Sequence, residues 1–126
     1  MAEWLPTRGV QMMLVDERTH EVVATRVELA TTRRARRVGL LGRDHLDADA
    51  ALVLAPCLAV HTAFMRFPID IAFVDRHGRA VRLVRNLRSW RIAIAPRARA
   101  AIELPAGALA RHEVSVGDRL QLVSLD

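Results

Sequence analysis

The segment CLAVHTAFMRFPIDIAF, residues 57–73, contains the side chains with the most reactive chemistry. It opens with Cys57, the only cysteine of the chain, and His61 follows four residues later. This spacing places both side chains on one face of a strand or of a helix. A thiolate activated by an adjacent imidazole is a nucleophile, and Asp70 could orient the imidazole ring. Cys-x-x-x-His is not a strict motif, so a packed thiol and a hydrogen-bonded histidine are favoured over a thiol-dependent hydrolase.

Asp70 is the second informative residue of this segment. In a strand over residues 69–75, it points away from the face that carries both isoleucines and Phe73. A buried carboxylate is costly unless it is paired or hydrogen-bonded. Arg43, Arg66 or the backbone N–H groups of a neighbouring loop are the expected partners. The carboxylate therefore either fastens a loop or contacts a ligand, and the sequence leaves both open.

The residues around these groups predict a shallow pocket for an anionic or polar small molecule. A methionine near aromatic rings is more typical of a core than of a cofactor site, and no cofactor is predicted. We expect His61 and Asp70 to line the same cavity, with Cys57 packed unreactive beneath it. The predicted ligand-binding residues are His61, Thr62, Met65, Asp70, Arg43 and Arg66.

A metal site is not predicted. Cys57 and His61 supply only two ligands, whereas a zinc site needs three or four. The remaining histidines fall in predicted turns and show no paired spacing.

The basic residues of the chain are unusual because none of them is lysine. The formal net charge is +5, and all nineteen basic residues are arginine. A GC-rich coding bias explains the absence of lysine most simply. One cluster, RRARR at 33–37, falls at a predicted helix start, and a series at every third residue splits between the two faces of a strand. Neither comes with a nucleic-acid motif, so an anion is the favoured partner over DNA or RNA. The series is Arg76, Arg79, Arg82, Arg85, Arg88 and Arg91.

Length and composition indicate one globular domain over residues 1–126, with residues 1–9 as a flexible tail. The chain is 52% hydrophobic, which is ordinary for a folded domain and excludes a disordered one. Neither a secretory signal nor a stretch of membrane-spanning length is recognisable. A single cysteine cannot form an internal disulfide, so a reducing cytoplasm is expected. The oligomeric state is left open.

Hydrophobic periodicity predicts a mainly β protein, a compact antiparallel β-barrel or sandwich with one principal short helix near residues 32–41. Hairpin turns are predicted at 16–20 and 75–78, the second from Asp-Arg-His-Gly. Thr32 is the expected N-cap of the helix. The predicted strands are 10–15, 21–30, 51–56, 59–65, 69–75, 79–85, 100–104 and 118–123.

Four segments together resemble the domain of unknown function 192 family of small prokaryotic proteins. They are VELATTRRARRVGLLGRDHL, CLAVHTAFMRFPIDIAFVDRHGRAV, AIELPAG and VGDRLQL, and the resemblance covers roughly residues 22–123. It implies a compact β-rich domain and no particular activity. The chain departs from the family pattern at Arg34-Ala35, where members often carry acidic residues, and at Leu41, where many have methionine. The matching positions are Glu28, Ala30, Thr32, Gly39, Leu40, Arg43, His61, Thr62, Met65, Pro68, Asp70, Phe73, Gly78, Glu103 and Gly107.

Overall fold

Strands make up most of the regular structure. A computed structural model describes residues 4–5 and 11–125. Two short helices accompany the strands in this part of the chain, and neither is long and apolar enough to cross a membrane. In chain order the elements are β1 (Met12–Asp16), β2 (Val22–Ala24), β3 (Arg26–Ala30), α1 (Arg33–Val38), β4 (Ala50–Leu54), β5 (Ala59–His61), β6 (Ile69–Val74), β7 (Ala80–Leu87), β8 (Ile92–Ile94), β9 (Ala100–Pro105), α2 (Ala108–Arg111) and β10 (Leu120–Ser124).

The strands form three sheets stacked as layers. A five-stranded sheet in the order β3-β4-β9-β6-β7 lies at the centre. The three-stranded sheet β10-β1-β2 and α2 pack on one of its faces, and the two-stranded β5–β8 ribbon packs on the other, the face that α1 also adjoins. The predicted mainly β, sandwich-like fold is confirmed, and within the described residues the sheets do not close into a barrel.

The central strand β6 shows why two separate cores form. Its side chains are all buried, and they alternate between the two faces of the sheet. Ile69, Ile71 and Phe73 pack toward the β5–β8 ribbon, as the predicted alternation requires. Ala72 and Val74 pack toward the three-stranded sheet. Because both faces of the sheet are covered, a polar side chain on either face lies in an apolar layer.

Helix α1 confirms the helix predicted near residues 32–41. The hydroxyl oxygen of Thr32 accepts a hydrogen bond from the backbone N–H of Ala35 at 3.0 Å, which is the expected N-cap. Gly39 ends the helix with a φ of 47°. The helix joins β3 to β4, and these two strands run parallel because a helical crossover returns the chain to the same edge. The other strand pairs of the described residues are antiparallel, as the predicted antiparallel sandwich requires.

Two predicted strands are shorter in the structure. The strand predicted at 21–30 breaks at Thr25, whose backbone N–H and hydroxyl both donate to Asp49 and so turn the chain toward that loop. The strand predicted at 59–65 ends at His61, because the chain turns after it to a left-handed backbone at Phe64. Both predicted hairpins are present, as the β1–β2 and β6–β7 pairs.

The turn between β6 and β7 closes over the start of the chain. The indole Nε1 of Trp4 donates to the Leu120 carbonyl at 2.7 Å. Gly78 has a φ of 82°, and a Cβ on it would lie 2.1 Å from that indole nitrogen, so a side chain cannot be accommodated there. Apart from Trp4 and Leu5, the tail predicted at residues 1–9 lies outside the described residues.

Candidate functional site

A cleft of about 380 Å³ lies between α1 and β5, and we call it the α1–β5 cleft. The residues that bear on its chemistry come from four places in the fold. Helix α1 contributes three arginines, the segment from Cys57 to His61 forms one wall, Met65 packs from the following loop, and Glu103 of β9 reaches it from the central sheet. The polar and sulfur-containing lining residues are Arg33, Arg36, Arg37, Cys57, His61, Met65 and Glu103.

Glu103 is the buried carboxyl group of this cleft. Strand alternation turns Ala101 and Glu103 to the face that α1 adjoins, while Ile102 and Leu104 fill the opposite core. Glu103 is only 3% exposed, and its Oε1 atom accepts no hydrogen bond from the described residues. Burial raises the pKa of this carboxyl group from 4.5 to about 7, against a lowering influence of Arg43. Glu103 is therefore a proton-binding group near neutral pH.

The turn that ends α1 lies directly above this carboxyl group. A Cβ on Gly39 would lie 3.8 Å from Glu103 Oε1. The glycine itself leaves that space open toward the cleft.

The α1 arginines make the rim of the cleft positively charged. Arg36 and Arg37 follow Arg33 by three and four residues, which places them on the same side of the helix as Arg33. Arg36 donates to the Thr31 carbonyl at 2.7 Å. No acidic residue lies in the first helical turn, and in the described part of the chain none of the three arginines forms an ion pair. Their charge is available to a ligand.

Cys57 and His61 both line the cleft, but they do not form a nucleophile–base pair. The thiol donates to the Ala59 carbonyl at 3.2 Å, and no hydrogen bond joins it to the imidazole. Burial raises the pKa of the Cys57 thiol, and the Glu103 carboxylate adds to the rise. A thiol held in its neutral form is a poor nucleophile. The hydrolase alternative therefore has no support from the geometry.

Asp70 lies on the other side of the central sheet. Its carboxylate accepts backbone N–H groups from Asn86 at 2.8 Å, Gly107 at 3.1 Å and Leu109 at 3.0 Å. The expectation that His61 and Asp70 line one cavity is wrong. The alternation that turns Asp70 away from the isoleucine face also turns it away from α1 and the cleft. The structure places this carboxylate in the loop-fastening role that the sequence left open.

Thr62 and Met65 follow β5 and have different environments. Thr62 is fully buried, and its hydroxyl donates to the Arg88 carbonyl at 2.5 Å and accepts from the Arg91 N–H at 2.9 Å. It holds two loops together and does not line the cleft. Met65 is buried and lines the cleft beside His61.

The two arginines predicted at the pocket rim are engaged elsewhere. Arg43 forms an ion pair with Glu28 at 2.9 Å, and Arg66 forms one with Asp44 at 2.7 Å. Neither lines the α1–β5 cleft, although Arg43 influences the Glu103 carboxyl electrostatically. The rim is formed instead by Arg33, Arg36 and Arg37.

Glu103 was not among the ligand-binding residues predicted from the sequence. The signal was present, because Glu103 is the one acidic residue in the apolar strand AAIEL, as Asp70 is in IDIAFV. The same alternation argument would have identified both as buried carboxyl groups. It would not have shown which of them faces α1, since that depends on the order of strands in the sheet.

A second buried acidic group lies at the far edge of the fold. Asp16 and Asp118 are both buried, and Arg18 Nε contacts Asp118 at 2.7 Å. Burial and the neighbouring Asp118 raise the pKa of Asp16 from 3.8 to about 6. These residues fasten β1 to the start of β10. Across the described residues, no group of three or more His, Cys, Asp or Glu side chains could hold a metal ion.

The layered sheets define a small, mainly β, sandwich-like domain. Residues 14–122 match the sequence pattern of the DUF192 family, described as an uncharacterized ACR. The chain belongs to this family, as its sequence resemblance predicted. A comparison with curated proteins finds no match.

Two solved structures have the same fold. One is a protein of unknown function from Novosphingobium aromaticivorans, with a TM-score of 0.76 and 23% identity, covering 93% of this chain and 89% of that one. The other is a protein from Sinorhizobium meliloti, described as "a putative transcription regulator", with a TM-score of 0.75 and 22% identity, covering 90% of this chain and 92% of that one. At these identities the likeness concerns the fold alone.

Proposed function

We propose that this protein is a binding module whose α1–β5 cleft takes a small anionic ligand that also carries a hydrogen-bond donor. The observation that carries the proposal is the Glu103 carboxyl group, which is buried in the cleft with Oε1 unpartnered. A buried acceptor without a partner is costly, and a donor supplied by a ligand removes that cost.

The charges in the cleft select the rest of the ligand. The guanidinium groups of Arg33 and Arg37 form no ion pair with the part of the chain that the structure describes. A guanidinium group binds carboxylate or phosphate through two parallel hydrogen bonds. A simple anion satisfies the arginines and leaves Glu103 unpartnered. A hydroxy acid satisfies both, because its carboxylate meets the arginines and its hydroxyl donates to Glu103. The cleft volume lies within the range of small-molecule sites.

Binding is favoured over catalysis by the state of the thiol. Cys57 is a neutral donor to Ala59, so the cleft lacks an activated nucleophile. The lone cysteine also supports our proposal of a reducing, cytoplasmic location.

Lactate and propionate test the proposal because they differ by one hydroxyl group. At pH 8, above the Glu103 pKa of about 7, the carboxyl group is mostly ionised, and we expect lactate to bind about tenfold more tightly, since a hydrogen bond to a charged acceptor contributes about 1.5–3 kcal/mol. Titration followed by amide chemical shifts measures both affinities. Equal affinities would refute the role of Glu103.

Two arginines of the same helix provide a matched pair of variants. Arg37 lines the cleft and Arg34 does not. We expect Arg37→Gln to weaken lactate binding about tenfold and Arg34→Gln to leave it nearly unchanged. An equal loss in both variants would indicate a general effect of net charge.

A further inference from the structure

The β5–β8 ribbon exposes one apolar face to solvent. Val60 and Ala93 point inward to the core, and the alternate residues of the paired strands point outward. Ile92 is 69% exposed on that outward face, with Ile94 also exposed beside it. His61 pairs with Ile92 and lies on the same outward face, where it also borders the α1–β5 cleft. Grouped apolar side chains of this size are unusual on a surface that meets only water.

Two aromatic residues extend this face at one end of the ribbon. Phe64 is 71% exposed and Trp90 is 61% exposed, and their ring centroids lie 4.6 Å apart in an edge-to-face arrangement. Both have left-handed backbones, with φ values of 64° and 66°, which are strained for bulky residues. The strain is tolerated because two hydrogen bonds hold this turn. The backbone N–H of Trp90 donates to the Thr62 carbonyl, and the Ser89 hydroxyl donates to the Met65 carbonyl. The fold holds both rings out into solvent.

Most of the charged residues around this face are arginines. Between residues 50 and 102, Asp70 and Asp75 are the only acidic residues, and Asp70 is fully buried. Arg82 donates to the carbonyl of Ile94, which places it beside the ribbon. Three more exposed arginines lie in the adjoining loops. Together the four are Arg82, Arg88, Arg91 and Arg97, and within the described residues none of them forms an ion pair.

We propose that this face docks on an anionic lipid surface. The aromatic pair and Ile92 enter the boundary between headgroups and acyl chains, and the four arginines contact lipid phosphates. Exposed apolar side chains bordered by arginine match the layered chemistry of that boundary.

A lipid surface fits this face better than single-stranded nucleic acid does. Nucleic-acid platforms use open aromatic faces on which bases stack. Here Phe64 and Trp90 pack against each other, and the isoleucines offer no stacking surface. The apolar part of the face therefore does not offer a surface on which bases could stack, but it can contact acyl chains.

Vesicle sedimentation tests the proposal. We expect binding to vesicles of equal phosphatidylcholine and phosphatidylglycerol, and little binding to phosphatidylcholine alone. The double variant Phe64→Ser/Trp90→Ser should lose at least about tenfold in partitioning. Val116→Ser, which removes an exposed apolar side chain elsewhere, should bind like the wild type. Thermal unfolding of each variant establishes that it is folded.

Two further readouts separate the alternatives. Trp90 emission should shift to shorter wavelength with the anionic vesicles, and the shift should be absent in Trp90→Phe. Oligothymidylate and heparin serve as anionic probes without acyl chains. No binding to the anionic vesicles, or undiminished binding by the double variant, would overturn the proposal. Tighter binding to oligothymidylate than to vesicles, lost in the double variant, would assign the face to nucleic acid instead.

Discussion

Two buried carboxyl groups, those of Asp70 and Glu103, differ in their hydrogen-bond partners. Asp70 and Glu103 lie on the neighbouring strands β6 and β9, one residue out of register and on opposite faces. Asp70 accepts three backbone N–H groups, which satisfies it completely. Glu103 lies beside the α1–β5 cleft, and its Oε1 atom accepts no hydrogen bond from the residues that the structure describes. The first is a fastening residue, and the second is the residue that we propose contacts the ligand.

Glu103 makes the stability of the protein depend on pH. Its folded-state pKa of about 7 exceeds the ordinary 4.5, so the folded protein binds the proton more tightly than the unfolded chain. The stabilisation from this group is complete below about pH 4.5 and is lost as the pH rises through 7. The difference between the folded and the ordinary pKa of Glu103 corresponds to about 3 kcal/mol in the free energy of unfolding. Glu103→Gln should remove this part of the pH dependence, as measured by urea unfolding across that range.

The control for this experiment is Glu113→Gln, which changes an exposed carboxylate and should preserve the wild-type slope. Asp16 has a pKa of about 6 and acts in the same direction between pH 3.8 and 6, so some slope should remain in Glu103→Gln. A full wild-type slope in Glu103→Gln would contradict the raised pKa of Glu103.

Cys57 should react slowly with a bulky disulfide reagent at neutral pH. Its partial burial and raised thiol pKa keep the thiolate population low. The rate of thiol modification should rise strongly when the protein is unfolded in urea. Fast modification of the folded protein would restore the thiol-dependent enzyme as the better interpretation.

At the scale of elements, Asp70 ties β7 and α2 to β6. Asp70→Ala leaves three backbone N–H groups without their acceptor, of which that of Leu109 is fully buried, so we expect a loss of about 1–3 kcal/mol in the free energy of unfolding. Asp44→Ala removes an exposed carboxylate that pairs with Arg66, and it should cost less than about 1 kcal/mol. Chemical denaturation of both variants measures the difference. Equal small losses would contradict the fastening role.

Local patterns predicted most elements, and tertiary contacts decided the rest. The alternation in β6 and the cap at Thr32 are local signals, and both are confirmed. Strand β8 and helix α2 were not predicted, because each is only three or four residues long and is held by long-range contacts. The parallel β3–β4 pair also escaped prediction, since a strand's own residues do not indicate the direction of its neighbour.

For the whole molecule, the covering of both faces of the central sheet determines which of the predicted site residues share a cleft. The sequence placed His61 and Met65 in one pocket with Cys57 packed beneath it, and in the structure all three residues line the α1–β5 cleft. It could not separate Asp70 from them, because that requires knowing which layer packs on which face. It also favoured Arg43 and Arg66 for the rim, whereas both pair with nearby acidic residues.

Our main proposal is that the α1–β5 cleft binds a small hydroxylated anion. Mapping lactate-induced amide shifts by nuclear magnetic resonance tests it most directly, because the map locates the ligand. We expect the largest lactate-induced shifts at the amides of Gly39, Leu40, Ala59 and His61, and we expect these shifts to saturate together. Shifts centred on the exposed surface around Arg26 and Asp47, or no saturable shifts in the cleft, would contradict it.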